Sequence, residues 1–188
     1  MPGIVGQTAA SPGAPGEEVG FESQRGHVSV SRVAHESFTV SRRFDASPAE
    51  VFRLFSDEPT WRRWFRMPGS AATYAHDFRV GGSDHATSEF RMPDGRVERL
   101  ENSATYLAIT PEQRIVYAYE TRVDDIPRWA SLVTVELTPD ADGTEVSWTE
   151  QVAFFVRGPD DLPHLRGAIQ LRFNAMKLAL EADVSKPA

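Results

Sequence analysis

The feature that most constrains the fold is a run of six strand-like segments joined only by short turns. Each segment is rich in alternating apolar residues, and the breaks between them carry turn-forming residues such as Gly81-Gly82 and the Pro-Asp-Gly of 93–95. Connections this short favour antiparallel hairpins in a meander. The segments lie at 73–79, 84–91, 96–107, 113–121, 130–138 and 144–154.

Helical signals flank this run on both sides. A strand pattern at 38–44 is followed by Ser47, Pro48 and Glu50, which predict a helix start with a capping box. A second short helix is expected over "TWRRWFRM", ending at Pro68-Gly69. After the last strand, 160–183 has apolar residues at helical spacing and predicts one long amphipathic helix. These residues are Leu165, Ile169, Phe173, Met176 and Leu180.

Together these elements predict an α+β fold. An antiparallel sheet of about six or seven strands must cover one of its faces, and the long C-terminal helix is available to cover it. A strongly curved sheet wrapped around a helix leaves a gap between the two layers. We expect a pocket in that gap.

Length and charge restrict the function classes. The 188 residues are enough for one domain, which we place at 36–184, and the Gly- and Pro-rich stretch 1–30 predicts a disordered tail. A net charge of -7 argues against nucleic acid and anionic membrane surfaces as partners. The absence of cysteine excludes disulfides and thiolate metal sites and fits a cytoplasmic protein. The N-terminus lacks the basic and apolar regions of a secretory signal.

Several local strings, in this order, resemble the START-like helix-grip superfamily (SRPBCC), which also contains the polyketide cyclases. They are "FDASPAEVFRLFSDEPTWRRWF", "DFRVGGSDHATSEFRMPDG", "YLAITPEQRIVYAYE", "SLVTVELTPDADGTEVSWTEQVAF" and "LRGAIQLRFNAMKLALE". The closer similarity is to the subgroup related to the C-terminal domain of heat-shock-protein ATPase activators. The resemblance covers about 38–183. It implies a hydrophobic cavity between sheet and helix, and no shared catalytic motif.

The stretch "HDFRVGGSDH" (76–85) admits three interpretations: a metal site, a phosphate-binding loop or a turn between strands. In strands, neighbouring side chains point to opposite faces, so His76 and Asp77 diverge, as do Asp84 and His85. One cross-strand pair, such as His76 with Asp84 or His85, makes a poor metal site. The glycines lead into a strand rather than a helix, so we interpret the stretch as a turn and predict no metal or cofactor.

Glu150 is the most chemically interesting carboxylate. Period-two counting places it on one face with Val146 and Trp148, where burial would raise its pKa as acid–base catalysis requires. The competing interpretation is that this face is open to water, or that Glu150 pairs with Arg99 or Arg79.

Asn102 and Tyr106 share a face with Leu100 and Ala104 and are candidate polar anchors for a ligand. A hydrogen-bonded pair on a packed or solvated face explains them equally well. The predicted ligand-binding set combines these residues with aromatic and helix side chains. It comprises Trp64, Phe65, Phe90, Asn102, Tyr106, Tyr117, Trp148, Glu150, Ile169, Phe173 and Met176.

Three functional hypotheses follow. The first is binding of a lipophilic, hydrophobic or aromatic small molecule between sheet and C-terminal helix. The second is a cyclase- or dehydratase-like enzyme that uses Glu150 with Tyr106 or Asn102. The third is a chaperone ATPase modulator, which rests on the name of the subgroup alone. An exposed sheet face or edge also makes a homodimer a candidate assembly.

Overall fold

The computed structural model describes residues 32–156, 158 and 161–184. The predicted disordered tail at 1–30 lies outside these residues. This part of the chain folds into seven strands and three helices, arranged as strand, two helices, six strands and one helix. The elements are β1 (Ala34–Phe44), α1 (Pro48–Ser56), α2 (Glu58–Trp64), β2 (Ser70–His76), β3 (Ser83–Arg91), β4 (Val97–Thr110), β5 (Arg114–Val123), β6 (Ile126–Asp140), β7 (Gly143–Phe154) and α3 (Asp161–Val184).

All seven strands form one antiparallel sheet in the order β1-β7-β6-β5-β4-β3-β2. The predicted α+β fold and meander are confirmed, because β2 to β7 each pair with the next strand in sequence. The first strand forms the opposite edge of the sheet and pairs with β7, with Val40 opposite Trp148. The sheet is therefore curved but not closed, and its inner face is left for helices to cover.

The first helix begins as the sequence predicts. The Ser47 side chain accepts from the Glu50 N–H, and the Glu50 carboxylate accepts from the Ser47 N–H at 2.8 Å, which completes the capping box. The second helix is capped by Asp57, whose carboxylate accepts the Thr60 N–H at 3.0 Å. These two short helices carry Trp61 and Trp64 into the core.

The long helix α3 lies against the inner face of the sheet. Its buried residues include the predicted stripe, with Leu165, Ile169, Phe173 and Met176 in the core together with Ala179, and Leu180 partly buried beside them. The Phe173 ring packs edge-on against Phe44 at 5.8 Å and Trp148 at 6.3 Å between centroids. This packing ties the helix to β1 and β7 at the centre of the domain.

Several strand bounds differ from the predicted ones. The first strand begins at Ala34, four residues before the predicted start, because its pairing with β7 continues to Phe154. Conversely, β2 ends at His76, whereas the alternating pattern had extended it to 79. Strand ends depend on the length of the neighbouring strand, which local patterns do not contain. No helix among the described residues has the length and apolarity needed to span a membrane.

Candidate ligand-binding groove

A groove of about 590 Å³ lies between α3, the inner face of the sheet and the segment that follows α2. Its size falls within the range of small-molecule sites. Most of its wall is apolar or aromatic, with a few polar side chains placed among them. The lining residues are Trp64, Phe65, Arg66, Met67, Pro68, Leu100, Asn102, Tyr119, Thr121, Val123, Trp129, His164, Leu165, Ala168, Leu171, Arg172 and Ala175.

One rim of the groove is the segment 65–69 between α2 and β2. It is fixed by the Trp64 indole, which donates to the Leu54 carbonyl at 2.6 Å, and by the Met67 N–H, which donates to the Tyr74 hydroxyl at 2.9 Å. Gly69 has a φ of +89°, and a Cβ there would lie 2.1 Å from the Glu89 carbonyl oxygen. Only glycine therefore allows the rim to approach β3 this closely.

Arg172 projects from α3 at the boundary between the groove and a smaller inner cavity. Its guanidinium lies 5.2 Å from the centroid of Phe65, 5.5 Å from Tyr119 and 5.7 Å from Trp148. One of its nitrogens donates to the Tyr119 hydroxyl at 3.1 Å. Three aromatic rings thus hold the cation by cation–π contacts.

Glu150 lies on the inner face of β7 and is 2% exposed. It accepts a hydrogen bond from the Ser131 hydroxyl at 2.5 Å. Burial raises the pKa of Glu150, although the Ser131 hydrogen bond, the charge of Arg172 and the indole of Trp148 act in the opposite direction. The arginines proposed from the sequence lie elsewhere, because Arg99 faces Asp125 and Arg79 pairs with Asp77. That pairing interpretation was wrong, and the arginine that acts on Glu150 is Arg172.

Asn102 lines both the groove and the inner cavity from β4. Its amide oxygen accepts from the Thr121 hydroxyl at 2.8 Å, and its amide nitrogen lies 3.1 Å from the Met67 sulfur. The side chain is therefore oriented by β5 on one side and by the rim on the other. Because the Met67 sulfur is a weak acceptor, the amide nitrogen of Asn102 can turn to a ligand more easily than its amide oxygen can.

The inner cavity is small and holds a buried polar chain. Its volume is about 20 Å³, enough for roughly one water-sized group. The Tyr106 hydroxyl donates to Asp84 at 2.6 Å, and the other Asp84 oxygen lies 2.7 Å from His76 Nδ1. The His76 ring stacks on Trp61, with 4.4 Å between centroids. Burial raises the pKa of Tyr106 far above its ordinary value, and the Asp84 charge adds to this.

The stretch 76–85 is the turn between β2 and β3. Gly81 has a φ of +79°, which favours glycine, and a Cβ on Gly82 would lie 2.2 Å from the Asp77 carbonyl oxygen, so Gly82 has no room for a side chain. His76 and Asp84 meet on the inner face, whereas His85 contacts Glu101 at 2.9 Å on the other face. Among the residues that the structure describes, no three His, Cys, Asp or Glu side chains group together as metal ligands would.

The predicted ligand-binding residues divide into four locations. Trp64, Phe65 and Asn102 line the groove, and with Tyr106, Tyr117 and Trp148 they also surround the inner cavity. Glu150 is buried on β7 and lines neither of these two spaces. The helix residues Ile169, Phe173 and Met176 are fully packed into the core. Phe90 is 37% exposed near the end of β3 and is absent from the lining of both spaces.

Sequence reasoning missed two contributors to this region. Arg172 falls on the apolar stripe of α3, three residues after Ile169 and four before Met176, and that spacing was a usable signal. The second is the link from His76 and Asp84 to Tyr106. The cross-strand pair itself was anticipated as a poor metal site, but its contact with Tyr106 depends on the register of three strands, which the sequence does not specify.

A curved antiparallel sheet gripping a long C-terminal helix, with a groove between them, defines a helix-grip protein. Residues 45–172 match the family described as "Activator of Hsp90 ATPase homolog 1-like protein", and the chain belongs to this family. This confirms the resemblance found in the sequence.

Solved structures agree with this assignment. The crystal structure of the Mll3558 protein from Rhizobium loti is 38% identical, with a TM-score of 0.67, over 79% of this chain and 99% of that one. A Rhizobium leguminosarum protein is 30% identical, with a TM-score of 0.68, over 80% and 97%. The CV1439 protein of Chromobacterium violaceum, 24% identical over 77% and 96% with a TM-score of 0.58, shares the fold. A search of curated proteins found no match.

Proposed function

We propose that this protein binds a hydrophobic or aromatic small molecule in the groove between the sheet and α3. The observation that carries the proposal is the groove itself, with a volume of about 590 Å³ and walls such as Phe65, Trp129 and Leu165. The inner cavity of about 20 Å³ is too small for an organic ligand. Of these two spaces, only the groove is large enough for an organic ligand.

Binding is better supported than catalysis by the candidate acid–base residues. The Tyr106 hydroxyl donates to Asp84, and Glu150 accepts from Ser131, so each has an internal partner. Neither residue lines the groove. A cyclase- or dehydratase-like reaction would need these groups within reach of the substrate.

The third candidate, modulation of a chaperone ATPase, is supported by the family description alone. A direct assay of ATPase stimulation by the purified protein tests it. Absence of stimulation at saturating protein concentration would remove it from consideration. We give it no structural argument.

The proposal is tested with the neutral fluorophore Nile red and by native mass spectrometry. We expect saturable fluorescence enhancement in the wild-type protein, and a retained small molecule would appear as extra mass that is lost on denaturation. Ala168→Trp places a large side chain in the groove and should abolish Nile red binding. Ala182→Trp, on an exposed position of the same helix outside the groove lining, is the matched control and should bind normally.

Equal Nile red binding by the two variants, with circular dichroism showing both folded, would place the dye elsewhere and contradict the proposal. Complete absence of binding in the wild-type protein, together with a clean apo mass, would also count against it.

A further inference from the structure

We infer that the molecule bound in the groove is an organic monoanion whose carboxylate meets the guanidinium of Arg172. This inference rests on the proposed function and specifies the chemical class of the ligand. It comes from the charge of the groove and from the unused hydrogen-bond donors of Arg172.

The charge of the groove is opposite to that of the protein. The chain has 27 acidic and 20 basic residues, for a net charge of -7. Nevertheless the described residues that line the groove include Arg66, Arg172 and His164 and, within that part of the chain, no aspartate or glutamate. A cationic patch with apolar walls attracts anions locally, whereas the acidic remainder of the surface repels them.

Arg172 has unused hydrogen-bonding capacity at this position. A guanidinium has five N–H donors, and the one hydrogen bond that Arg172 makes to the described residues goes to the Tyr119 hydroxyl. Within that part of the chain no carboxylate lies at ion-pair distance from Arg172. A partly buried cation without a contacting counter-ion is costly, and an anionic ligand would remove that cost.

Glu150 does not fill the role of counter-ion. Its side chain is directed to the Ser131 hydroxyl, and among the described residues it makes no ion pair with Arg172. Arg172 itself stays charged, because a guanidinium is not deprotonated in proteins. Three aromatic rings surround the guanidinium, and of these residues Tyr119 alone accepts a hydrogen bond from it, through its hydroxyl.

Trp129 lines the groove from β6, and its Nε1 is buried with no hydrogen-bond partner among the described residues. Because this nitrogen is closed to solvent, it offers no donor to a ligand in the groove as the side chain stands. The planar fork of the Arg172 guanidinium matches a carboxylate, which brings two acceptor oxygens.

The test compares two probe ligands of nearly identical shape, 2-naphthylacetate and 2-naphthylacetamide, by isothermal titration calorimetry at pH 7.5. In the wild-type protein we expect the acid to bind about tenfold more tightly than the amide, because a hydrogen bond to a charged group contributes on that scale. Arg172→Gln should reduce this preference to about one. Arg166→Gln is the matched control, because Arg166 lies on the same helix but contacts Phe38 outside the groove.

The outcomes separate this inference from the proposed function. Equal affinity of the two probes for the wild-type protein, or binding of Nile red without binding of the acid, overturns the inference and leaves the proposed function standing. A preference for the acid that persists in folded Arg172→Gln also overturns it. Failure of both probes and of Nile red overturns both proposals. If Arg172→Gln does not fold, the comparison of the two probes in the wild-type protein still tests whether the groove prefers an anion.

Discussion

At the scale of single residues, the interior of the sheet holds two carboxyl groups in different settings. Asp84 has a partner on each oxygen, with the Tyr106 hydroxyl on one and His76 on the other. Glu150 accepts a hydrogen bond from Ser131, and the charge of Arg172 and the indole of Trp148 also act on it, but burial outweighs them and raises its pKa. Hydrogen bonds and an opposite charge favour a carboxylate, whereas removal from water disfavours it.

We predict that Glu150→Gln raises the free energy of unfolding at pH 7 by an amount on the order of 1 kcal/mol. Because burial raises the pKa of Glu150 in the folded state, this group contributes stability below its ordinary pKa of about 4.5 and loses that contribution as pH rises through the folded value. Glutamine keeps a hydrogen bond to Ser131 without the charge. Urea denaturation between pH 4 and pH 8 should show a flatter profile for the variant.

Glu101 provides a control of opposite sign. A hydrogen bond from His85 lowers its pKa, so its contribution is present above the ordinary value and is lost as pH falls through the folded one. Glu101→Gln should therefore lower stability slightly at pH 7, with an effect reduced by solvent screening. A Glu150→Gln variant less stable than wild type at pH 7 would show that the charged form is favoured by Arg172 after all.

At the scale of elements, the rim segment 65–69 sets the opening of the groove. Its position is determined by the indole of Trp64, the hydroxyl of Tyr74 and the close approach of Gly69 to β3. None of these contacts is part of the backbone hydrogen-bond pattern of a helix or strand. The rim is therefore fixed by side chains and by one backbone conformation rather than by a hydrogen-bond ladder.

Two glycines with the same backbone conformation allow this to be tested. Gly69 and Gly95 both have a φ of +89°, but a Cβ on Gly95 meets nothing within 4 Å, whereas one on Gly69 meets the Glu89 carbonyl. We predict that Gly95→Ala costs about 1 kcal/mol, the conformational term alone. Gly69→Ala should cost at least about 2 kcal/mol more, because the rim must move. Equal losses in the free energy of unfolding of the two variants, measured by chemical denaturation, would show that the rim can move at little cost.

At the scale of the whole domain, the longest helix packs against the sheet through a narrow stripe. Phe173 lies at the centre of this contact, between Phe44 and Trp148, while Leu171 and Leu178 on the same helix are exposed. The exposed Leu171 lies on the lip of the groove. The helix therefore has two roles: its apolar stripe packs in the core, and its adjacent face forms one wall of the groove.

We predict that Phe173→Ala lowers the free energy of unfolding by about 3–5 kcal/mol, since it leaves a cavity between helix and sheet. Leu178→Ala, at a site that is 65% exposed, should change it by less than about 0.5 kcal/mol. Denaturant titration followed by tryptophan fluorescence measures both. A loss below about 1 kcal/mol for Phe173→Ala would mean that α3 contributes little to closing the core.

Part of the site was predictable and part was not, as particular residues show. Alternation placed Asn102, Tyr106 and Trp148 on the inner face, where the structure has them. The same alternation includes Phe90, which lies near the strand end and beyond the cover of the helices. Counting residues along a strand gives the face of a side chain but not its distance from the helix that covers the sheet.

The sequence by itself determined the order of elements, the antiparallel meander, the capped start of α1 and the buried stripe of α3. These follow from turn chemistry and from periods of 2 and 3.6 residues, which are local properties of the chain. Only the tertiary structure decided that Arg172 meets Phe65, Tyr119 and Trp148, and that His76, Asp84 and Tyr106 form one polar chain. Those contacts depend on strand register and on the seating of α3 against the sheet, which arise from packing between residues far apart in sequence.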